Sequence, residues 1–133
     1  MLWRSRDECV MNGTKILIDT NIAINLFKGD SRLANLLQDR EAKLSFIVEL
    51  ELMGYRHITV EEEAWMEIFL DQCSVIGINS GIKEITTYVR RQYNLKLPDA
   101  IIAATSIFLG VPLLSTDDHF DRVKELIFIF YQP

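Results

Sequence analysis

The chain has 133 residues, of which 49% are hydrophobic and 25% charged, and its formal net charge is −5. This length is typical of one domain, and this hydrophobic fraction can form a core without disulfides. The two cysteines, Cys9 and Cys73, make no disulfide framework and favour a reducing, cytoplasmic compartment. The negative charge argues against strong non-specific binding of nucleic acid, which depends on Lys and Arg. The negative charge does not exclude nucleic acid as a substrate, because a bound cation can supply positive charge.

The first fourteen residues differ from the rest of the chain. Residues 1–14 have no hydrophobic period and predict an N-terminal extension, with Met11 as a possible alternative start. They contain no apolar core of a signal peptide. The longest apolar stretch, residues 100–114, is too short and too interrupted to span a bilayer. We therefore expect one domain over residues 15–133.

Short apolar runs alternate with helical patterns along that domain. Residues 15–19 contain Ile16, Leu17 and Ile18 without polar alternation, which predicts a strand buried on both faces. A short helix is expected to follow as far as Phe27. The other predicted strands cover residues 43–46, 73–78, 111–116 and 126–130.

Helix signals separate these strands. Asp30 or Ser31 can cap a second helix, residues 47–55 predict a third, and Thr59 begins a Thr-x-x-Glu capping box. Asn79 or Ser80 can cap the next helix, and residues 97–110 predict a central buried helix. This order of elements predicts an α/β fold, with a central, mainly parallel five-stranded sheet flanked by helices on both faces.

Acidic residues gather where such a sheet binds ligands, beyond the carboxyl ends of its strands. They follow the first strand, the second strand and the fourth strand, or begin the buried helix; they are Asp19, Glu49, Glu51, Asp99, Asp117 and Asp118. Each has an ordinary alternative role as a helix cap, a turn residue or a solvated side chain. Together they predict a cation site, because clustered carboxylates repel one another unless a cation lies between them.

The chemistry of these groups favours Mg²⁺ or Mn²⁺, since all the ligands would be oxygens. His57 is expected in an exposed loop. His119 is close to the acids in the sequence, but a lone histidine is usually a surface residue. No phosphate-binding glycine loop and no serine nucleophile with a histidine partner is evident. Metal-assisted hydrolysis of a phosphodiester is the chemistry that these residues favour.

Three segments carry a resemblance to a known family: "ILIDTNIAINLFKGD", "LSFIVELELMGY" and "LPDAIIAATSIFLGVPLLSTDDHF". In this order and with these gaps they resemble the PIN-domain ribonucleases, and among them the VapC toxins of bacterial toxin–antitoxin pairs. The resemblance runs from about Lys15 to the C-terminus. One departure is Val48, where the family often has threonine.

The resemblance implies a PIN-like fold and an endoribonuclease that depends on Mg²⁺ or Mn²⁺. Matched motif by motif, its acidic quartet is Asp19, Glu51, Asp99 and Asp117, with Glu49 as a neighbour on a different helix face. It also implies a cognate antitoxin, an RNA substrate and a homodimer.

Other interpretations stay open at this point. A non-catalytic PIN-like binding module would keep the same acids. A receiver-like domain would need an acceptor aspartate after the third strand, which "SVIGINS" lacks, and a dehalogenase-type phosphatase would need a second aspartate at Asn21. The exposed basic residues that could contact phosphates are Lys28, Arg32, Arg56, Arg90, Arg91 and Lys96. The aromatic residues at the C-terminus, Phe128, Phe130 and Tyr131, are expected to complete the core, with a surface for a partner as the alternative.

Overall fold

The structure is a computed structural model that describes residues 15–133, so the expectations for residues 1–14 lie outside it. The strands are β1 (Lys15–Ile18), β2 (Glu41–Ser45), β3 (Ser74–Ile76), β4 (Leu113–Ser115) and β5 (Phe128–Phe130). The helices are α1 (Thr20–Phe27), α2 (Ser31–Leu37), α3 (Phe46–Met53), α4 (Val60–Gln72), α5 (Ser80–Tyr93) and α6 (Leu97–Leu109), and a short 3-10 helix covers Asp118–Arg122.

The five strands form one sheet in the order β3-β2-β1-β4-β5, and every neighbouring pair is parallel. Parallel pairing requires crossover connections, which the intervening helices supply. Ile16, Leu17 and Ile18 are completely buried in the central strand, as expected for a strand covered on both faces. The predicted α/β fold with a five-stranded sheet is confirmed, and the sheet is parallel throughout.

The boundaries of β2 differ from the prediction. This strand begins at Glu41 and ends at Ser45, whereas the sequence pattern predicted residues 43–46. The hydroxyl of Ser45 accepts a hydrogen bond from the backbone N–H of Ile47 at 3.2 Å and so caps α3. Phe46 is therefore already helical, because the capping serine ends the strand.

The third strand is also shorter than predicted. It covers only Ser74–Ile76, because Cys73 is the C-cap of α4 and the chain then leads to the Asn79 cap of α5. Cys73 is half-buried, and burial raises the pKa of its thiol to about 11. It is a small packing residue and not a reactive thiol.

Helix α6 lies in the centre of the molecule. Its residues from Ala100 to Ser106 are all buried, and Gly110 ends it with a positive φ of 69°. The predicted buried helix is confirmed. Its first turn, which contains Asp99, opens toward the carboxyl edge of the sheet, where Asp19 and Asp117 follow β1 and β4. No helix in residues 15–133 is both long and apolar enough to cross a membrane.

The C-terminal tyrosine completes the core, as expected. Tyr131 is buried, and its hydroxyl donates to Asp30 Oδ2 at 2.8 Å. The same hydroxyl accepts a hydrogen bond from Arg32 Nε at 3.2 Å, and the guanidinium lies 4.9 Å from the centroid of the tyrosine ring. These contacts attach the end of the chain to α2. Phe130, by contrast, is about half exposed.

Candidate active site

Asp19 is the most buried acid of the candidate site, with 7% of its surface exposed. One carboxylate oxygen accepts the backbone N–H of Thr20 at 2.7 Å, and the other accepts the hydroxyl of Ser115 at 2.7 Å. Burial raises the pKa of Asp19; these two hydrogen bonds oppose the rise, and the charges of Asp99 and Glu51 add to it. Asp19 is thus the N-cap of α1 and also a member of an acidic cluster.

Glu51 faces Asp19 across the start of α1. Its Oε1 accepts a hydrogen bond from the hydroxyl of Thr20 at 2.5 Å. Glu49 lies in the first turn of α3, two residues earlier, and therefore points in a direction about 200° away around the helix. The structure brings Glu51 to the predicted site, and no hydrogen bond links Glu49 to Thr20 or Asp19 within residues 15–133.

Ser115 connects the ends of β1 and β4. Its hydroxyl donates to Asp19 and accepts the backbone N–H of Asp117 at 3.0 Å. It is completely buried. Ser115 was not identified from the sequence as a residue of the site. Its position as the last residue of an apolar strand, two residues before an acid, was the signal that could have identified it.

His119 contacts two of the four predicted acids, although the sequence favoured a surface residue. Its Nε2 lies 3.0 Å from Asp99 Oδ2, and its Nδ1 is in hydrogen-bond contact with Asp117 Oδ1. The ring is stacked on Phe120 at a centroid distance of 5.2 Å. Both ring nitrogens of His119 therefore face carboxylate oxygens. Asp118, by contrast, is exposed.

The donor groups suit a hard cation, because carboxylate and hydroxyl oxygens make up the site. Within residues 15–133, however, no three Asp, Glu, His or Cys side chains already have the spacing that one bound ion requires. The hydrogen bonds explain this spacing. Asp99 and Asp117 are turned toward His119, and Glu51 is turned toward the hydroxyl of Thr20. Coordination of one ion by these acids would therefore require rotation of their side chains around Asp19.

A family comparison identifies the domain. The model of the PIN domain family matches residues 16–126, which is most of the chain. No curated protein matches the chain significantly.

Solved structures show the same fold. A toxin–antitoxin complex from Klebsiella pneumoniae is 29% identical, with a TM-score of 0.76 over 89% of this chain and 99% of that one. VapBC2 from Rickettsia felis, bound to a DNA fragment from its promoter, is 19% identical, with a TM-score of 0.78 over 89% and 99%. DNA-bound VapBC from Salmonella typhimurium is 20% identical, with a TM-score of 0.73 over 87% and 97%. The resemblance to VapC-type toxins that the sequence carries is confirmed, and the chain belongs to the PIN domain family.

Proposed function

We propose that this chain is an endoribonuclease toxin that hydrolyses RNA phosphodiester bonds with Mg²⁺ or Mn²⁺. The residues that would hold the cation are Asp19, Glu51, Asp99 and Asp117. One observation carries the proposal: Asp19 is buried at the carboxyl edge of the sheet, where Asp99 and Glu51 add negative charge. A buried carboxylate that lies near other negative charges lowers the stability of the folded state, and a bound cation offsets this cost.

When bound, a divalent cation would polarise the phosphodiester and favour ionisation of the attacking water. Asp19 and Glu51 would have different roles in this reaction. Asp19 is held in one orientation by Ser115 and by the N–H of Thr20, so it can present its remaining lone pairs without reorganisation. Glu51 is more exposed, and its Oε2 has no hydrogen-bond partner within residues 15–133. It can therefore accept a proton from water that enters the site.

The test is cleavage of a labelled single-stranded RNA by the purified protein. We expect cleavage with Mg²⁺ or Mn²⁺ and none after addition of EDTA, with activity restored by excess metal. Cleavage that persists in EDTA would contradict the metal-dependent scheme.

A second candidate function is a non-catalytic RNA-binding module. The contact of His119 with Asp99 and Asp117 favours it, because the imidazole already occupies the space between two acids. The same assay separates the two functions. A binding module would retain RNA in a gel-shift experiment and leave it intact at every metal concentration.

We also propose a cognate antitoxin as the partner, since a similar solved structure, from Klebsiella pneumoniae, is a toxin–antitoxin complex. A candidate surface is an open apolar cleft of about 460 Å³ between α1 and α4, where Trp65 and Ile68 are at least half exposed beside Phe27. Helix α4 is acidic, with three glutamates in its first turn. These features would suit an apolar segment that carries basic residues.

The oligomeric state and the compartment are further parts of the proposal. We expect a cytoplasmic homodimer, in keeping with the resemblance. Light scattering of the purified chain tests the dimer, and a monomer at micromolar concentration would contradict it. Leu50 and Met53 on α3 are more than half exposed and are the first apolar positions to substitute in that test.

A further inference from the structure

We propose that a basic cleft at the end of α5 binds the phosphate backbone of the RNA substrate beside the cleavage site. This inference rests on the proposed ribonuclease function and assigns a surface to its substrate. The cleft has a volume of about 400 Å³ and lies between the last two turns of α5 and the start of α6. Its polar lining includes Thr87, Arg90, Arg91 and Asn94.

The backbone geometry forms this cleft. Asn94 takes a left-handed conformation, with a φ of 53°, and ends α5. The chain then turns back and begins α6 at Leu97, which also lines the cleft. Arg90 Nε donates to the carbonyl oxygen of Leu95 at 3.3 Å, which fixes the arginine against this turn. The other guanidinium nitrogens of Arg90 have no hydrogen-bond partner in the described part of the chain.

The charge of this segment is opposite to that of the whole protein. The chain has 19 acidic and 14 basic side chains, yet residues 85–98 contain Arg90, Arg91 and Lys96 and no acid. None of these three forms an ion pair within residues 15–133. Arginines in the last turn of a helix complement its dipole, but that role leaves their terminal nitrogens free for a ligand. Unpaired basic groups around a polar cleft suit a polyanion.

The position of the cleft relates it to the acidic site. Leu97 lines the cleft and Asp99 lies two residues further along α6, so their Cα atoms are at most about 7.6 Å apart, while their side chains point in directions about 200° apart around the helix. An RNA strand with its scissile phosphate at the acids would therefore pass around the first turn of α6 to place a further phosphate among the arginines. The chain is otherwise acidic, so this contact would offset repulsion between the substrate and the carboxylates.

The kind of contact predicts sequence-tolerant binding. Arginine side chains at an open cleft contact phosphate oxygens, and such contacts position a strand without reading its bases. Each phosphate contact on a single strand contributes about 0.7 to the slope of log K against log salt concentration. At about 0.1 M salt this corresponds to roughly fivefold in affinity for each contact.

The test measures RNA binding separately from cleavage. Fluorescence anisotropy with a short labelled single-stranded RNA and Mg²⁺ would use the Asp19→Asn background, which we expect not to cleave. Adding Arg90→Gln and Arg91→Gln together should weaken binding roughly 25-fold at about 0.1 M salt and lower the salt slope by about 1.4. Arg91→Lys should restore most of the contribution of that position, because a point charge still contacts a phosphate.

Lys83→Gln is the matched control. It removes one positive charge from the same helix, about 10 Å along the axis from Arg90 and outside the cleft. We expect it to change RNA affinity less than twofold, and thermal melts should show that all variants are folded. In the protein that keeps Asp19 and can therefore cleave, the double substitution should raise KM more than it lowers kcat.

The outcomes separate this inference from the function on which it rests. If the unsubstituted protein cleaves RNA but the arginine variants bind like Lys83→Gln, the cleft is not the phosphate site and the inference is wrong. If the arginine substitutions instead weaken a complex with an acidic protein partner and leave RNA affinity unchanged, the inference is also wrong. If the unsubstituted protein neither binds nor cleaves RNA, the proposed function fails, and the inference fails with it.

Discussion

Replacing Asp19 by asparagine separates the two roles that the structure gives this side chain. As an N-cap, Asp19 accepts the N–H of Thr20, and asparagine caps helices equally well. As a member of an acidic cluster, it supplies a full negative charge, which asparagine lacks. We therefore expect Asp19→Asn to fold and to lose cleavage.

The structure indicates how much stability is at stake. In Asp19→Asn, the hydroxyl oxygen of Ser115 can accept a hydrogen bond from the new amide. The hydroxyl proton of Ser115, however, loses the carboxylate to which it donated, and this loss lowers the free energy of unfolding by about 1–3 kcal/mol. Removal of a buried charge from an acidic cluster has the opposite sign, so we expect the unfolding free energy to stay within about 1 kcal/mol of the original. Asp19→Ala also loses the cap, at about 1 kcal/mol, and should be clearly less stable.

The loss of activity should be much larger than the change in stability. Charge stabilisation by a metal ion is worth several kcal/mol, and each 1.36 kcal/mol is tenfold in rate, so cleavage should fall roughly 10²–10⁴-fold. Metal should also stabilise only the original protein, by about 2.7 kcal/mol at a hundredfold excess over Kd. The assays are cleavage of labelled RNA and thermal melts with and without Mn²⁺. Full activity in Asp19→Asn, with unchanged stabilisation by metal, would refute the metal-ligand role.

Three further predictions follow from individual contacts. Glu51→Gln should lower cleavage roughly 10²–10⁴-fold, and Glu49→Gln should keep most activity; the reverse result in the same assay would show that the wrong glutamate has been assigned. In metal-free buffer the pKa of Asp19 is raised in the native state, so the native state binds the proton of this carboxyl group more tightly than the unfolded chain does. Asp19 therefore lowers the free energy of unfolding as the pH rises from 3.8, the ordinary pKa, through the raised pKa of the native state. The stability of Asp19→Asn relative to the original should accordingly rise over that window in urea denaturation at several pH values, and a fall would reverse the assigned sign. Tyr131→Phe removes the hydroxyl contacts with Asp30 and Arg32 and should cost about 1–2 kcal/mol in the same denaturation experiment; no loss would show that these contacts are not stabilising.

The sequence was sufficient for the fold because its local signals agree with one another. Unbroken aliphatic runs such as Ile16 to Ile18 require burial on both faces, and caps such as Thr59 and Asn79 mark where helices begin. The errors were at strand ends. At Ser45 one side chain both ends β2 and caps α3, and this choice depends on which backbone N–H is within reach.

The candidate site was predictable only in part. Acids at strand ends can be located from sequence, because parallel strands end at one edge of a sheet. The contacts of Ser115 and His119 depend on side-chain directions in three dimensions, and hydroxyl and imidazole groups are common at surfaces. Asp99 and His119 are twenty residues apart in the sequence, so no local sequence pattern predicts their contact. The basic segment before Asp99 was visible as charge, but the cleft around it comes from the turn at Asn94.

The central claim is that one cation site is formed around Asp19, and the most direct measurement is a crystal structure with Mn²⁺ located by its anomalous scattering. We expect an ion in contact with Asp19 and with at least one of Asp99 and Asp117, and we expect the coordinating acid to move away from His119. An ion bound elsewhere on the molecule, or no ion at saturating Mn²⁺ with both acids still on His119, would contradict this claim.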